Sequence, residues 1–350
     1  MCGTSGTDVT VFHAPALLPS EAATLLEHAG SVFASRSWWE TVLSHAMPTG
    51  SAAWFVVVRV AGKTAAVLPM VHANGRLDGL TTPYTCEYTP LFASGLGRTD
   101  RIAAMRAFGK FCRGFGVVRL DALPADWDGL DDLMAGVQQA GSRPLRFEHF
   151  GNWYENVAGL DWSGYLLQRP GALRETIRRR LRRAEKLPGA VFDLLTQPAD
   201  MDRASEAFES VYGRSWKDAE PFPTFNVALM RVMARSGQLR CGVWSVDAEP
   251  VAVQVWVVRD GHAIVLKLAH DEAFKAHSPG TVLTALMLRH LLDHEHVAMI
   301  DFGRGDDGYK QGWAIQRRQR IGLLLVNPWR LSGAMALLRH WAGRVRAGMR

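Results

Sequence analysis

Cysteine is scarce in this 350-residue chain: Cys2, Cys86, Cys112 and Cys241 stand far apart, with no C-x-x-C pair among them. That pattern excludes a zinc knuckle and a disulfide framework and fits a reduced compartment. No histidine neighbours any of them in sequence, so an acyl-cysteine mechanism has no local support. Metal-ligand spacing is lacking as well. His290, His294 and His296 stand near Glu295 without the H-E-x-x-H interval, which reads as a solvated helix end, and no metal is expected. No apolar run reaches spanning length and the first ten residues carry no basic and apolar leader, so a cytoplasmic protein is expected. Low-complexity sequence is missing too: 33 Gly and 16 Pro are ordinary, and 48% apolar with 21% charged residues excludes disorder, collagen and coiled coil.

What is present is enough apolar sequence for two domains of usual size or one large one. In the C-terminal half, a strand at 190–195 follows the Pro188-Gly189 turn, and helices follow at 201–216 and 224–234. Three strands at 240–246, 251–258 and 262–269, separated by short Asp- and Gly-containing turns, form a predicted antiparallel meander. A helix from Pro279, a strand at 297–302, a short helical piece from Tyr309 and a strand at 320–326 complete the half. The N-terminal half repeats this layout without repeating residue identity: helices at 21–27 and 37–46, a hairpin of 54–60 and 64–71, helix 101–113, strand 117–122, helix 126–139 and strand 145–150. A duplicated fold at about 170 residues per copy fits the length. The net charge of +6 is concentrated. Residues 174–186 hold seven basic and two acidic side chains, and residues 330–350 hold five basic and none acidic, which leaves the remainder mildly acidic.

Two loops have chemical content. The approach Lys275-Ala-His277-Ser278-Pro279-Gly280-Thr281 puts small residues and a fixed φ at a helix start, where N–H groups from Ser278 to Val282 are expected to point outward and bind an anion. An ordinary Ser-capped, Pro-started helix has the same sequence. The second loop, Asp301-Phe-Gly-Arg304-Gly-Asp-Asp-Gly308-Tyr309-Lys310, contains a formal G-x-G-x-x-G, but Asp306 and Asp307 would repel a pyrophosphate and no long helix follows. As a polar loop after a strand it offers Tyr309 as a proton donor, Lys310 as an anion or oxyanion holder and Asp301 as a group that positions a nucleophile or takes its proton. A solvated Asp-Gly turn is the simpler alternative. Trp216, Lys217, Tyr84 and Arg304 are the candidates for substrate contact, with a structural role as the competing reading.

The order β-α-α-β-β-β-α-β-α-β, with an anion-ready helix after the third meander strand, resembles the GNAT acyl-CoA transferase fold. Residues 275–283 (KAHSPGTVL) followed by 300–310 (IDFGRGDDGYK) are similar to the paired signature of CelD-type acetyltransferases, a tandem-GNAT branch itself similar to the FemAB peptidyltransferases. The resemblance implies a mixed α/β fold of two GNAT-like modules, each a largely antiparallel sheet flanked by helices: a degenerate one at 1–160, a catalytic one at 161–327, and a basic amphipathic helix at 328–350. It also implies acetyl-CoA or another acyl-CoA as co-substrate and no metal. Its pyrophosphate would sit on Ser278, Pro279, Gly280, Thr281 and Val282 beside Lys275 and His277, with the pantetheine along Leu266 and Leu268. Tyr309 would protonate the departing thiolate. Pro279 and Val282 depart from the glycine and small positions of the usual Q/R-x-x-G-x-G/A phosphate motif.

The resulting expectation is transfer of an acyl group other than an aminoacyl group to an amine or hydroxyl of a small-molecule or saccharide acceptor, such as an exopolysaccharide precursor. Two alternatives stay open. The arginines of 174–183 could track the backbone of an aminoacyl-tRNA donor, although a helix face turned to water and acidic neighbours is the simpler explanation. The chain could instead be a non-catalytic relative that binds a nucleotide or a membrane. Leu331, Met335, Leu338, Trp341 and Val345 recur near helical spacing beside Arg339, Arg344, Arg346 and Arg350, which suits a helix lying on anionic lipid at the inner membrane face or one packed back on its domain.

Overall fold

The computed structural model describes residues 6–348, without the side chains of 341–348. Cys2 and the expected helix positions Trp341, Arg344, Val345, Arg346 and Arg350 therefore lie outside the described side chains. In chain order the elements are β1 (Thr7–Phe12), α1 (Ser20–Glu27), α2 (Arg36–His45), β2 (Ser51–Val60), β3 (Lys63–Ala73), β4 (Arg76–Gly79), β5 (Leu91–Phe92), α3 (Arg98–Cys112), β6 (Val117–Pro124), α4 (Leu130–Gln139) and β7 (Arg143–Asn156). They continue as α5 (Trp162–Leu167), α6 (Gly171–Glu185), β8 (Ala190–Leu195), α7 (Met201–Gly213), α8 (Phe225–Arg235), β9 (Leu239–Val246), β10 (Glu249–Arg259), β11 (His262–His270), α9 (Pro279–Asp293), β12 (Met299–Asp301), α10 (Lys310–Trp313), β13 (Gln316–Val326) and α11 (Leu331–Gly348).

The chain divides into two compact units, Met1–Phe150 with Gln319–Arg350, and Gly151–Arg318. This differs from the expected cuts after residues 160 and 327. Two strands cause the difference: β7 runs on past residue 150 into the second unit, and β13 passes residue 318 into the first. The strand expected to close the second module instead pairs antiparallel with β6, from Arg320 opposite Pro124 to Val326 opposite Val117. Its Ile321, Leu323 and Leu325 are buried there.

In the first unit the strands lie in the order β1-β2-β3-β4-β6-β13, with β5 on β3. β1 and β4 add to the expected elements. α3 and α4 approach closely at Gly136, where a Cβ would come within 2.7 Å of the Ile102 carbonyl and 2.5 Å of the Met105 Cβ.

In the second unit the order is β7-β12-β11-β10-β9-β8. The expected meander is β9, β10 and β11. Its tight turns put Asp247 and Ala248, then Asp260 and Gly261, at positive φ, the geometry that matches a two-residue turn to strand twist. A parallel neighbour needs a crossover, and α9 supplies it between β11 and β12. α9 is apolar because it is covered: Val282, Leu283, Met287, Leu288 and Leu291 pack with Trp256 of β10, and Ile177 and Leu181 of α6 close the other side. The mixed α/β architecture, with sheets flanked by helices, is the one the sequence predicts.

Candidate active site

β11 and β12 pair for only three residues, His262 to Ile264 against Met299 to Asp301. Beyond that ladder the strands no longer pair. The far half of β11, the start of α9 and the loop after β12 enclose a cavity of about 310 Å³, lined by Leu268, His270, Lys275, Ser278, Pro279, Gly280, Thr281 and Thr284, with Trp216, Tyr309 and Trp313 as its aromatic walls.

The start of α9 is built differently from the simplest expectation. Ser278 is left-handed, at φ 54°, and makes no side-chain cap. Its N–H donates to the Lys275 carbonyl, Pro279 has no N–H, and the Val282 N–H donates to the Ser278 carbonyl at 3.1 Å. The expected run from Ser278 to Val282 therefore narrows to Gly280 and Thr281, whose N–H groups have no partner within the helix. Val282 is fully buried in the core rather than facing the cavity. Gln254 fixes this helix start: its Nε2 donates to the Gly280 carbonyl at 3.5 Å and to Thr284 Oγ1 one turn on at 2.7 Å, and its Oε1 accepts from the Trp256 indole at 2.8 Å.

His270 stands across from Gly280. A Cβ at Gly280 would meet His270 Nδ1 at 3.5 Å, and that nitrogen is buried without a hydrogen-bond partner. Burial pushes the imidazole pKa down, against the pull of nearby Glu272, which favours the neutral ring. Its other face packs on the Trp216 indole, with centroids 4.4 Å apart.

Tyr309 is half-exposed on the cavity wall. Desolvation first, and the Asp307 carboxylate second, push its phenol pKa up, so the hydroxyl is protonated at neutral pH and can donate. The neighbouring groups have other tasks. Lys310 is buried, and its ammonium donates to the carbonyls of Arg304 at 2.7 Å and Gly305 at 3.3 Å and pairs with Asp307 at 3.0 Å. Those bonds fold the loop, so the expected anion-holding ammonium is turned inward. Asp301 is likewise engaged. Asn152 Nδ2 and the Gly303 N–H each donate to Oδ1 at 2.7 Å, while Arg318 holds Oδ2. A carboxylate so occupied shapes the loop, with both oxygens engaged.

The other candidates separate. Leu268 and Lys275 line the cavity; Leu266, His277 and Arg304 do not. The Lys275 side chain is largely exposed and lies 3.4 Å from Glu272. Lys217 is half-buried, with its Nζ 5.8 Å from the Trp216 ring centroid and 5.9 Å from that of Tyr212. Burial and then Lys267 push its pKa down. Tyr84 is buried in the first unit, in a turn where its N–H donates to Thr82 Oγ1, and is not a wall of this cavity. Among the described residues no group of His, Cys, Asp and Glu side chains could hold a metal ion.

A buried ion pair supports the wall formed by Trp313. Arg169 and Glu155 pair at 2.8 Å. Arg169 also donates to the Trp313 carbonyl at 2.7 Å, and Glu155 accepts the Ile315 N–H at 2.6 Å. The Tyr165 hydroxyl donates to the same Trp313 carbonyl. Sequence reasoning missed Asn152, Glu155, Arg169, Gln254 and His270; a charged pair fourteen residues apart in a mainly apolar stretch was the one signal for Arg169 and Glu155.

Residues 171–311 match the acetyltransferase (GNAT) domain family. No curated protein matches the chain. Among solved structures, FemX is similar at a TM-score of 0.58 and 11% identity, covering 91% of this chain and 98% of that one. The C-terminal domain (DUF2156) of a putative lysylphosphatidylglycerol synthetase from Agrobacterium fabrum is similar at 0.57 and 13%, covering 91% and 94%. A tandem GNAT protein from the clavulanic acid biosynthesis pathway is similar at 0.52 and 14%, covering 92% and 99%. At such identities the likeness is one of fold.

The buried pair generates a stability prediction. Arg169→Met leaves the Glu155 carboxylate buried without its cation and should cost about 3–5 kcal/mol in denaturant unfolding. Arg169→Met with Glu155→Gln, which keeps an acceptor for Ile315, should be more stable than the single variant. A double variant no better than the single one would remove the pair from this supporting role. Residues 171–311 thus match an acetyltransferase (GNAT) domain family, and the fold is one that FemX and a tandem GNAT protein share.

Proposed function

We propose that the chain transfers an acyl group, acetyl in the simplest case, from acyl-CoA to an amine or hydroxyl on a sugar or exopolysaccharide precursor, as a CelD-type enzyme. The observation that carries the reading is the convergence in one cavity of the open Gly280 and Thr281 N–H groups, the unpaired edge of β11 and the protonated Tyr309 hydroxyl. Two N–H groups at a helix start suit a pyrophosphate, and the positive end of the helix favours its charge. The β11 edge beyond Ile264 suits an extended amide chain such as pantetheine. The acceptor nitrogen or oxygen attacks the thioester carbonyl, its new bond to carbon replacing the carbon–sulfur bond. The thiolate takes its proton from Tyr309, and the acceptor loses its own to solvent.

A second reading, an aminoacyl-tRNA donor, is favoured by one observation. Arg178, Arg179, Arg182 and Arg183 are exposed on α6, and Arg180 of the same helix donates to the Ala276 carbonyl at 3.3 Å, beside the start of α9. A row of cations leading to an anion-ready helix suits a phosphate backbone as well as a nucleotide. Filter retention of tRNA distinguishes the two: steep loss of retention with rising salt favours tRNA, and indifference to salt removes it.

Two outcomes are expected for the acyl-CoA reading. Gly280→Glu places a carboxylate over the open N–H groups and should abolish CoA binding measured by calorimetry while leaving the circular dichroism spectrum unchanged. Tyr309→Phe should lower kcat by about 100-fold, the usual scale for loss of a general acid, with CoA affinity retained. Undiminished CoA binding in Gly280→Glu, or an unchanged kcat in Tyr309→Phe, would take each group out of the site.

A further inference from the structure

Away from the cavity, the segment from Trp329 into α11 turns large apolar side chains to solvent. Trp329 is 84% exposed, Leu331 81%, Leu338 70% and Met335 45%. Leu331, Met335 and Leu338 follow one another at helical intervals of four and three, so they form a stripe along one face.

Anchoring holds this face outward. Asn327 donates through its N–H to the Gly116 carbonyl at 2.9 Å and through Nδ2 to the Arg113 carbonyl at 3.0 Å, and its Oδ1 accepts the Trp329 N–H at 3.1 Å. Gly333 is buried on the opposite side of α11, where a Cβ would collide with the Asn327 carbonyl and come within 2.8 Å of the Gly116 carbonyl. The first turn of α11 is thus seated through its glycine, and the stripe faces away from the seat. The alternative of a helix packed back through its leucines does not hold for these three positions.

Charge selects the occupant. Residues 330–350 carry five arginines and no acidic residue, and the described Arg330 and Arg339 are exposed beside the stripe. A second copy docked stripe to stripe would bring like charges together, whereas an anionic lipid surface meets both the apolar and the cationic groups. No helix of the described residues is long and apolar enough to cross a membrane, so the fitting geometry is a helix in the interfacial plane with the indole at headgroup level. We propose that Trp329 and α11 form an interfacial anchor that lays this chain on an anionic membrane surface.

Sedimentation of the full chain with vesicles of phosphatidylglycerol and phosphatidylcholine, against phosphatidylcholine alone, tests this. The chain should sediment with the anionic vesicles only, and less so as salt rises. Combined Trp329→Ser, Leu331→Ser and Leu338→Ser should weaken partitioning by about tenfold or more. Arg330→Glu with Arg339→Glu should weaken it without removing any apolar group, which keeps the test decisive if the serine variant folds poorly. Failure of the wild type to sediment, or equal partitioning of wild type and the charge variant, would overturn the anchor. So would light scattering that shows a dimer dissolved by the serine substitutions, since that result assigns the stripe to a second copy.

Discussion

The cavity exists because β11 and β12 part, and the carboxylate of Asp301 fixes where they do so. Asp301 is the last residue of the short parallel ladder, and it is held by Asn152, by the Gly303 N–H and by Arg318. Asn152 ties the fork further, since its Nδ2 also donates to the Gly303 carbonyl at 2.9 Å and its Oδ1 accepts from Arg318. The backbone after Asp301 therefore leaves the sheet at one place and in one direction, with Gly303 and Gly305 at positive φ completing the turn. Lys310 then draws the loop into a compact shape through the Arg304 and Gly305 carbonyls. Tyr309, its neighbour in sequence, is left on the cavity wall. A network of side chains that do not line the cavity thus decides where the hydroxyl stands.

The same economy governs the opposite wall. Gln254 bonds the first turn of α9 to the sheet, and its other end satisfies the buried Trp256 indole. A helix start with an uncapped, left-handed Ser278 would otherwise be poorly fixed. Gly280 and Thr281 keep their N–H groups open because the residues on either side have used theirs or have none. An arrangement of that kind accepts an anion without a charged side chain, which is consistent with Lys275 being largely exposed at the rim.

Much of this was legible in the sequence, and the boundary of legibility is physical. The meander, the crossover helix and the loop after β12 announce themselves through local periodicity and turn residues, and the cavity gathers Trp216, Lys275, Ser278, Pro279, Gly280, Thr281 and Tyr309 from the candidates read from the residues themselves, with Leu268 from the GNAT resemblance. What local sequence does not encode is the task of each polar side chain. Asp301 and Lys310 are chemically suited to catalysis, and only the positions of Asn152, Arg318 and the loop carbonyls show their bonding capacity already filled. Asn152 meets Asp301 across 149 positions of sequence and Arg318 across 166, and no local spacing encodes such pairs. The unit boundaries differ from the expected cuts for a similar reason, because a strand's alternation of apolar residues does not say which neighbour it will join.

That last strand has a consequence for how the protein is made. β6 has β4 on one side and β13 on the other, and residues 319–326 of β13 are made only after the whole of the second unit. Until then the first unit carries an unfilled strand edge through synthesis of all of Gly151–Arg318, which can close its own core earlier. The order of maturation thus runs against the order of synthesis: of the two units, the one made first is the one that must wait. An unpaired edge of that kind is a point of misassociation for nascent chains. A piece cut to residues 161–327 would lose Asn152 and Glu155 from its own unit while keeping a strand that belongs to the other.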